Sequence, residues 1–87
     1  MIPQGITRSD VQWALRHIDK HGVRKWRHST RYSIAFRGKL YPPKYAICIA
    51  NRRTNGREWP NYRFSGGKEA NHFLTRLGFR IVPTPSA

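Results

Sequence analysis

The sequence predicts a small α+β domain in which three helices pack on a small antiparallel sheet, in the order α-β-β-α-α-β. Two segments place apolar residues at the i, i+3, i+4 and i+7 spacing of one helical face, and a glycine follows each segment. Short alternating segments flank a glycine turn and recur near the end of the chain, which predicts the sheet. With 87 residues, the chain has room for a single domain.

The first helix is predicted over Arg8–His21. Thr7 precedes it as the N-cap, and Asp10 follows three residues later as the acidic member of a capping box. Gly22 comes after the last turn, where a left-handed residue is expected. The stripe that we expect to be buried consists of Val11, Ala14, Leu15 and Ile18.

A β-hairpin is predicted next, because Tyr32–Phe36 alternates, residues 37–39 can turn, and residues 40–41 resume the alternation. The loop length allows Gly38 to adopt the left-handed conformation. Two prolines at 42 and 43 then end the second strand.

The second helix is predicted to begin at Pro43 and to be buried. Residues 45–50 are apolar on nearly every face, a pattern that fits a buried strand as well as a buried helix. The proline at the start and the Asn55-Gly56 pair at the end favour the helix.

The third helix is predicted to start near Ser65-Gly66-Gly67 and to stop at Gly78. A polar, aromatic loop over residues 57–64 precedes it, and residues 79–82 alternate as a last strand. We therefore expect one domain over residues 1–82, with residues 83–87 as a flexible tail or linker stub. The apolar stripe of this helix is Ala70, Phe73, Leu74 and Leu77.

The composition indicates a polyanionic partner. Lysine plus arginine number 17 against 4 aspartate plus glutamate, a net charge of +13, and such a surplus attracts phosphates. An aromatic share of 13% indicates a genuine core.

No apolar run reaches the about 18 residues of a membrane span, and no apolar signal segment is evident. Because Cys48 is the only cysteine, an internal disulfide is excluded, and we expect a cytoplasmic location.

Catalysis is not expected of this chain, and neither a metal nor a cofactor is predicted. The four carboxylates are scattered, whereas a metal-dependent nuclease gathers two or more around its ion. His17 and His21 are four residues apart but lack a third ligand, so we interpret them as exposed helix residues. Cys48 lies within an apolar run, which favours packing over nucleophilic chemistry.

Residues 23–32 combine cations, hydroxyls and aromatics around Trp26, a mixture that can bridge phosphates and cover sugars or bases. The alternative is a solvated basic loop with Trp26 folded onto the core. A second cluster joins Arg52 and Arg53, at the end of the second helix, to the loop over residues 57–64. Stabilisation of the second helix accounts for part of this second cluster, because cations are favoured at a helix C-terminus.

The segment Phe64-Ser65-Gly66-Gly67-Lys68 leaves backbone amides uncovered at a helix start, an arrangement that binds anions. Ser65 can instead cap the helix, and the two roles are compatible. The candidate nucleic-acid contacts are Arg24, Lys25, Arg27, Arg31, Lys44, Arg52, Arg53, Arg57, Arg63, Ser65, Gly66, Gly67 and Lys68, and the candidate stacking residues are Trp26, Trp59 and Tyr62.

The YPPK motif at 41–44 and the FSGG motif at 64–67, with the helices that follow them, resemble the N-terminal head domain of McrA-type modification-dependent HNH restriction endonucleases. The likeness covers residues 6–82. In that family a separate HNH domain cleaves, and other domains read modified bases. The resemblance therefore implies a non-catalytic, DNA-engaging piece, fused to or associated with a nuclease. It does not identify the contact residues.

The leading hypothesis is a double-stranded DNA-binding module of a restriction or phage-defence system, which binds mainly through phosphates. A single-stranded DNA- or RNA-binding module that stacks bases on Trp26, Trp59 and Tyr62 is the first alternative. The second is a basic protein-interaction module or regulator that docks on an acidic partner.

Overall fold

The computed structural model describes residues 1–23, 31–64 and 67–85, and along them the predicted α-β-β-α-α-β order is confirmed. One further element, a single 3-10 turn, interrupts the predicted loop before the third helix. The elements are α1 (Arg8–His21), β1 (Tyr32–Phe36), β2 (Lys39–Tyr41), α2 (Pro43–Asn55), the 3-10 turn (Asn61–Arg63), α3 (Lys68–Arg76) and β3 (Arg80–Pro83).

Helix α1 has the predicted bounds and the predicted capping box. The Asp10 backbone N–H donates to Thr7 Oγ1 at 3.2 Å, and the Thr7 N–H donates to Asp10 Oδ2 at 3.0 Å. Burial alone would raise the pKa of Asp10, but hydrogen bonds from Thr7 and Thr54 and the nearby charge of Arg53 outweigh it and lower the pKa. The predicted apolar stripe is buried. The start of α1 is thus fixed by its own sequence.

The sheet has the order β2-β1-β3 with both pairs antiparallel, and Ile34 lies opposite both Tyr41 and Ile81. The hairpin turn consists of two residues, since Phe36 pairs with Lys39. Arg37 (φ 51°) and Gly38 (φ 78°) both adopt the positive φ that a type I′ turn requires. Lys39, which the sequence assigned to the turn, therefore belongs to β2. Since β3 is an edge strand, it tolerates Pro83, one residue beyond the predicted end of the strand.

Helix α2 forms the centre of the core, as predicted for a helix that is apolar on nearly every face. Residues 45–51 are all buried, Cys48 among them, which confirms that this thiol packs in the interior. Helix α1 packs along α2, and the sheet and α3 contribute Ile34 and Leu74 among others to the cluster. The first turn of α2 carries Lys44 beside Phe64, and the last turns carry Asn51, which bonds to the Arg57 carbonyl, so α2 positions the loop over residues 57–64.

Helix α3 begins at Lys68 with Gly67 as its N-cap, and no side chain of the described residues caps it. The proposed capping residue, Ser65, lies outside the described residues. After α3, Gly78 turns the chain with φ 92°, and the Arg8 guanidinium packs against it and donates to the Leu77 carbonyl at 3.0 Å. This contact joins the start of α1 to the turn between α3 and β3. Within the described ranges, no helix is long and apolar enough to cross a bilayer.

Candidate nucleic-acid interface

The loop over residues 57–64 is held on α2 by hydrogen bonds to the Asn51 side chain and to the Cys48 carbonyl. Asn51, which is fully buried, donates from Nδ2 to the Arg57 carbonyl at 2.9 Å, and its Oδ1 accepts from Asn55 at 2.6 Å. The Trp59 backbone N–H donates to the Cys48 carbonyl at 3.1 Å. A loop anchored at two points on a core helix presents its remaining side chains in defined positions.

Those side chains form a basic–aromatic surface, by which we mean Arg57, Trp59, Tyr62 and Arg63. The Arg63 and Arg57 guanidinium carbons lie 5.5 and 5.9 Å from the Trp59 ring centroid, a cation–π distance. The half-buried Trp59 donates from Nε1 to the Met1 carbonyl at 3.0 Å, which fixes its ring. Tyr62 is 80% exposed. The surface therefore offers two cations beside the Trp59 ring and one accessible aromatic ring, Tyr62.

Lys44 and the start of α3 lie at the end of this loop. The Lys44 Nζ is 5.3 Å from the Phe64 ring centroid, and Phe64 is buried. Gly67 and Lys68 are exposed where α3 begins. Ser65 and Gly66, which connect Phe64 to Gly67, lie outside the described residues. The predicted anion site at the backbone amides therefore stays a prediction.

Arg52 and Arg53 have partners within the chain. Arg52 Nη2 lies 3.0 Å from Glu58 Oε1, and Arg53 Nε lies 3.8 Å from Asp10 Oδ1. Arg53 also donates from Nη1 to the Ser9 carbonyl at 2.9 Å. Both side chains tie α2 to its neighbours, so their predicted role in phosphate contact competes with a structural role.

The remaining predicted contacts are separated from this surface along the chain. Arg31 is exposed just before β1, and its carbonyl accepts from the Thr84 N–H at 2.8 Å. Four others lie outside the described residues: Arg24, Lys25, Trp26 and Arg27.

The family model described as the ScoMcrA-like N-terminal head domain matches residues 4–83. The chain belongs to this family of head domains. The match spans nearly the whole sequence and confirms the resemblance carried by the YPPK and FSGG motifs, which relates the chain to restriction proteins of the McrA type. Comparisons with curated proteins and with solved structures give no significant match.

The sequence interpretation of the head domain missed the anchoring role of Asn51. Its signal was present, because an asparagine directly follows six residues that are apolar on nearly every face. A polar residue in a buried helix must satisfy its hydrogen bonds locally, which in this domain means the loop. In the described part of the head domain, no three histidine, cysteine, aspartate or glutamate side chains gather as metal ligands do.

Proposed function

We propose that this head domain is a non-catalytic module that binds double-stranded DNA, mainly through phosphates, in a restriction or phage-defence system. Strand cleavage would belong to an HNH nuclease that is fused to the domain or associated with it. The observation that carries the proposal is the basic–aromatic surface, where Arg57 and Arg63 both contact the Trp59 ring on an anchored loop.

Charge supports the proposal. If each of the 4 carboxylates neutralised one of the 17 lysines and arginines, 13 cations would still lack a carboxylate partner in the chain. Asp10, Asp19 and Glu58 already pair with Arg53, Lys39 and Arg52. A guanidinium can donate two parallel hydrogen bonds to a phosphate, so the arginines of the basic–aromatic surface suit the DNA backbone.

Binding of duplex DNA is expected to be strongly salt-dependent. If six to eight cations contact phosphates, the slope of log affinity against log salt is roughly −5 to −7. Fluorescence anisotropy of a labelled duplex, measured across a salt series, gives this slope. A slope near −1 would refute the proposal.

Arg57→Gln combined with Arg63→Gln should reduce the slope by about 2, because two phosphate contacts are lost. The matched control is Arg16→Gln with Lys20→Gln, which removes the same charge from the exposed side of α1. We expect the control to keep the wild-type slope. Equal losses in the two variants would show that overall charge, and not this surface, determines binding.

The exposure of Tyr62 favours a second candidate function, the binding of single-stranded DNA or RNA by stacking. Loss of one stacked base costs about 1–3 kcal/mol, or roughly 5- to 150-fold in affinity. Tyr62→Ala tests this candidate, because Tyr62 is far more exposed than Trp59. Such a loss on single strands, with weak duplex binding by the wild type, would support it. If the domain is not retained on any nucleic acid near physiological salt, the remaining hypothesis is a module that docks on an acidic protein.

A further inference from the structure

A cleft lies between the C-terminal turn of α1 and the adjoining face of α2, apart from the basic–aromatic surface. Its volume is about 330 Å³, which is within the range of small-molecule sites. Two histidines, a tyrosine and an arginine contribute polar groups to its wall, and a glycine and a valine also line it. Among the described residues, the lining consists of His17, His21, Gly22, Val23, Tyr45 and Arg52.

The α1 wall of the cleft is a stack of rings one helical turn apart. The His17 and His21 centroids are 4.5 Å apart with a 39° tilt, and Trp13 packs behind His17 at 5.4 Å. Stacking restricts the rotamers of both imidazoles. Each neutral imidazole carries one N–H donor, and protonation adds a second donor and a positive charge.

The α2 wall supplies a permanent cation and a phenol. The Arg52 side chain is 37% exposed and donates from Nη2 to Glu58, which uses part of the five N–H donors of a guanidinium. Tyr45, which is buried, lines the same wall. Glu58 follows Arg57 in the chain, so Arg52 stands between the cleft and the basic–aromatic surface.

We propose that this cleft binds a nucleoside monophosphate, either free or as the phosphorylated end of a strand. Arg52 holds the phosphate through its remaining guanidinium N–H donors, His21 adds a donor from the facing wall, and His17 stacks against His21. A phosphate group alone occupies a small part of 330 Å³, and the rest accommodates the nucleoside against Val23 and the ring faces. The inference goes beyond the proposed function and does not depend on it.

The test is an NMR titration of the whole chain with 2′-deoxyadenosine 5′-monophosphate, read from the imidazole resonances and repeated with inorganic phosphate and with deoxyadenosine. We expect saturable shifts at His17 and His21, and binding at least tenfold tighter than that of either fragment. His17→Gln with His21→Gln should lower the affinity about tenfold or more, whereas the exposed His72→Gln control should not. Absence of shifts in the wild type, or phosphate binding as tightly as the nucleotide, would overturn the proposal.

Strands with and without a 5′-phosphate distinguish the two sources of the ligand. Tighter binding of the phosphorylated strand identifies a strand end, and binding of the mononucleotide alone identifies a free nucleotide. The pair Arg57→Gln and Arg63→Gln should weaken duplex binding and leave the mononucleotide affinity unchanged. Failure of the cleft is therefore distinguishable from failure of the proposed function.

Discussion

Asn51 shows how one buried polar side chain positions a surface. Its carboxamide joins the interior of α2 to the Arg57 carbonyl and to Asn55, and so satisfies groups that burial would otherwise leave without partners. The loop that carries Arg57 and Arg63 begins at this contact. At the scale of the residue, the placement of the cations depends on a side chain that never reaches solvent.

Asn51→Ala should destabilise the domain by about 2–3 kcal/mol, because it creates a cavity and leaves the Arg57 carbonyl without its donor. Urea unfolding measures the loss, and hydrogen exchange should show faster opening of residues 57–64. The exposed Asn61→Ala is the control and should change stability by no more than about 0.5 kcal/mol. Equal stability of the two variants would contradict the anchoring role.

At the scale of the element, α1 is joined to the hairpin through Tyr41 and Asp19. The Tyr41 hydroxyl lies 2.9 Å from both carboxylate oxygens of Asp19, and the Lys39 ammonium lies 3.4 Å from one of them. Burial, reinforced by the hydrogen bond and negative charge of Asp19, raises the pKa of Tyr41 to about 12. This contact makes the junction of helix and hairpin sensitive to alkaline pH.

The raised pKa of Tyr41 predicts how stability changes with pH. Its contribution is complete below the unfolded value of 10.0 and is lost as the pH rises towards about 12, because the unfolded chain releases the proton first. Tyr41→Phe should remove this part of the alkaline loss, whereas the exposed Tyr62→Phe should keep it. Urea midpoints across this pH range, with absorbance of the ionised tyrosine, provide the measurement. An unchanged alkaline profile in Tyr41→Phe would disprove the link.

Element boundaries were predictable where a local signal specifies them. The capping box and Gly22 define α1, and Pro43 with Gly56 defines α2. The two-residue turn was not predicted, because it required Arg37 to adopt a positive φ that arginine rarely takes. The 3-10 turn was missed for a similar reason, since its short polar segment has no periodic pattern.

The charge of +13 is a property of the whole molecule, because a compact fold brings the cations of distant segments together. Such a surplus opposes folding through self-repulsion. In each ion pair of the described residues the cation is exposed to solvent, so these pairs add little to stability in water. Salt therefore weakens the ion pairs less than it weakens the repulsion among the surplus cations.

Raising sodium chloride from about 10 to 200 mM should therefore increase the free energy of unfolding, since the Debye length falls from about 30 to below 10 Å. Urea unfolding at each salt concentration measures the effect. Arg16→Gln with Lys20→Gln should show a weaker dependence, because less repulsion remains to be screened. A free energy that decreases with salt would mean that ion pairs outweigh the net charge.

The sequence by itself determined the three helices and the hairpin, because caps and periodicity are local signals. It also determined the cationic character, because net charge depends on composition and not on the fold. Tertiary structure decided which cations form a surface. Arg52 and Arg53 pair within the chain, whereas Arg57 and Arg63 flank Trp59. The cleft likewise requires α1 to pack against α2, because its two walls come from separate helices. Contacts between residues far apart in the chain follow from packing, which local patterns do not encode.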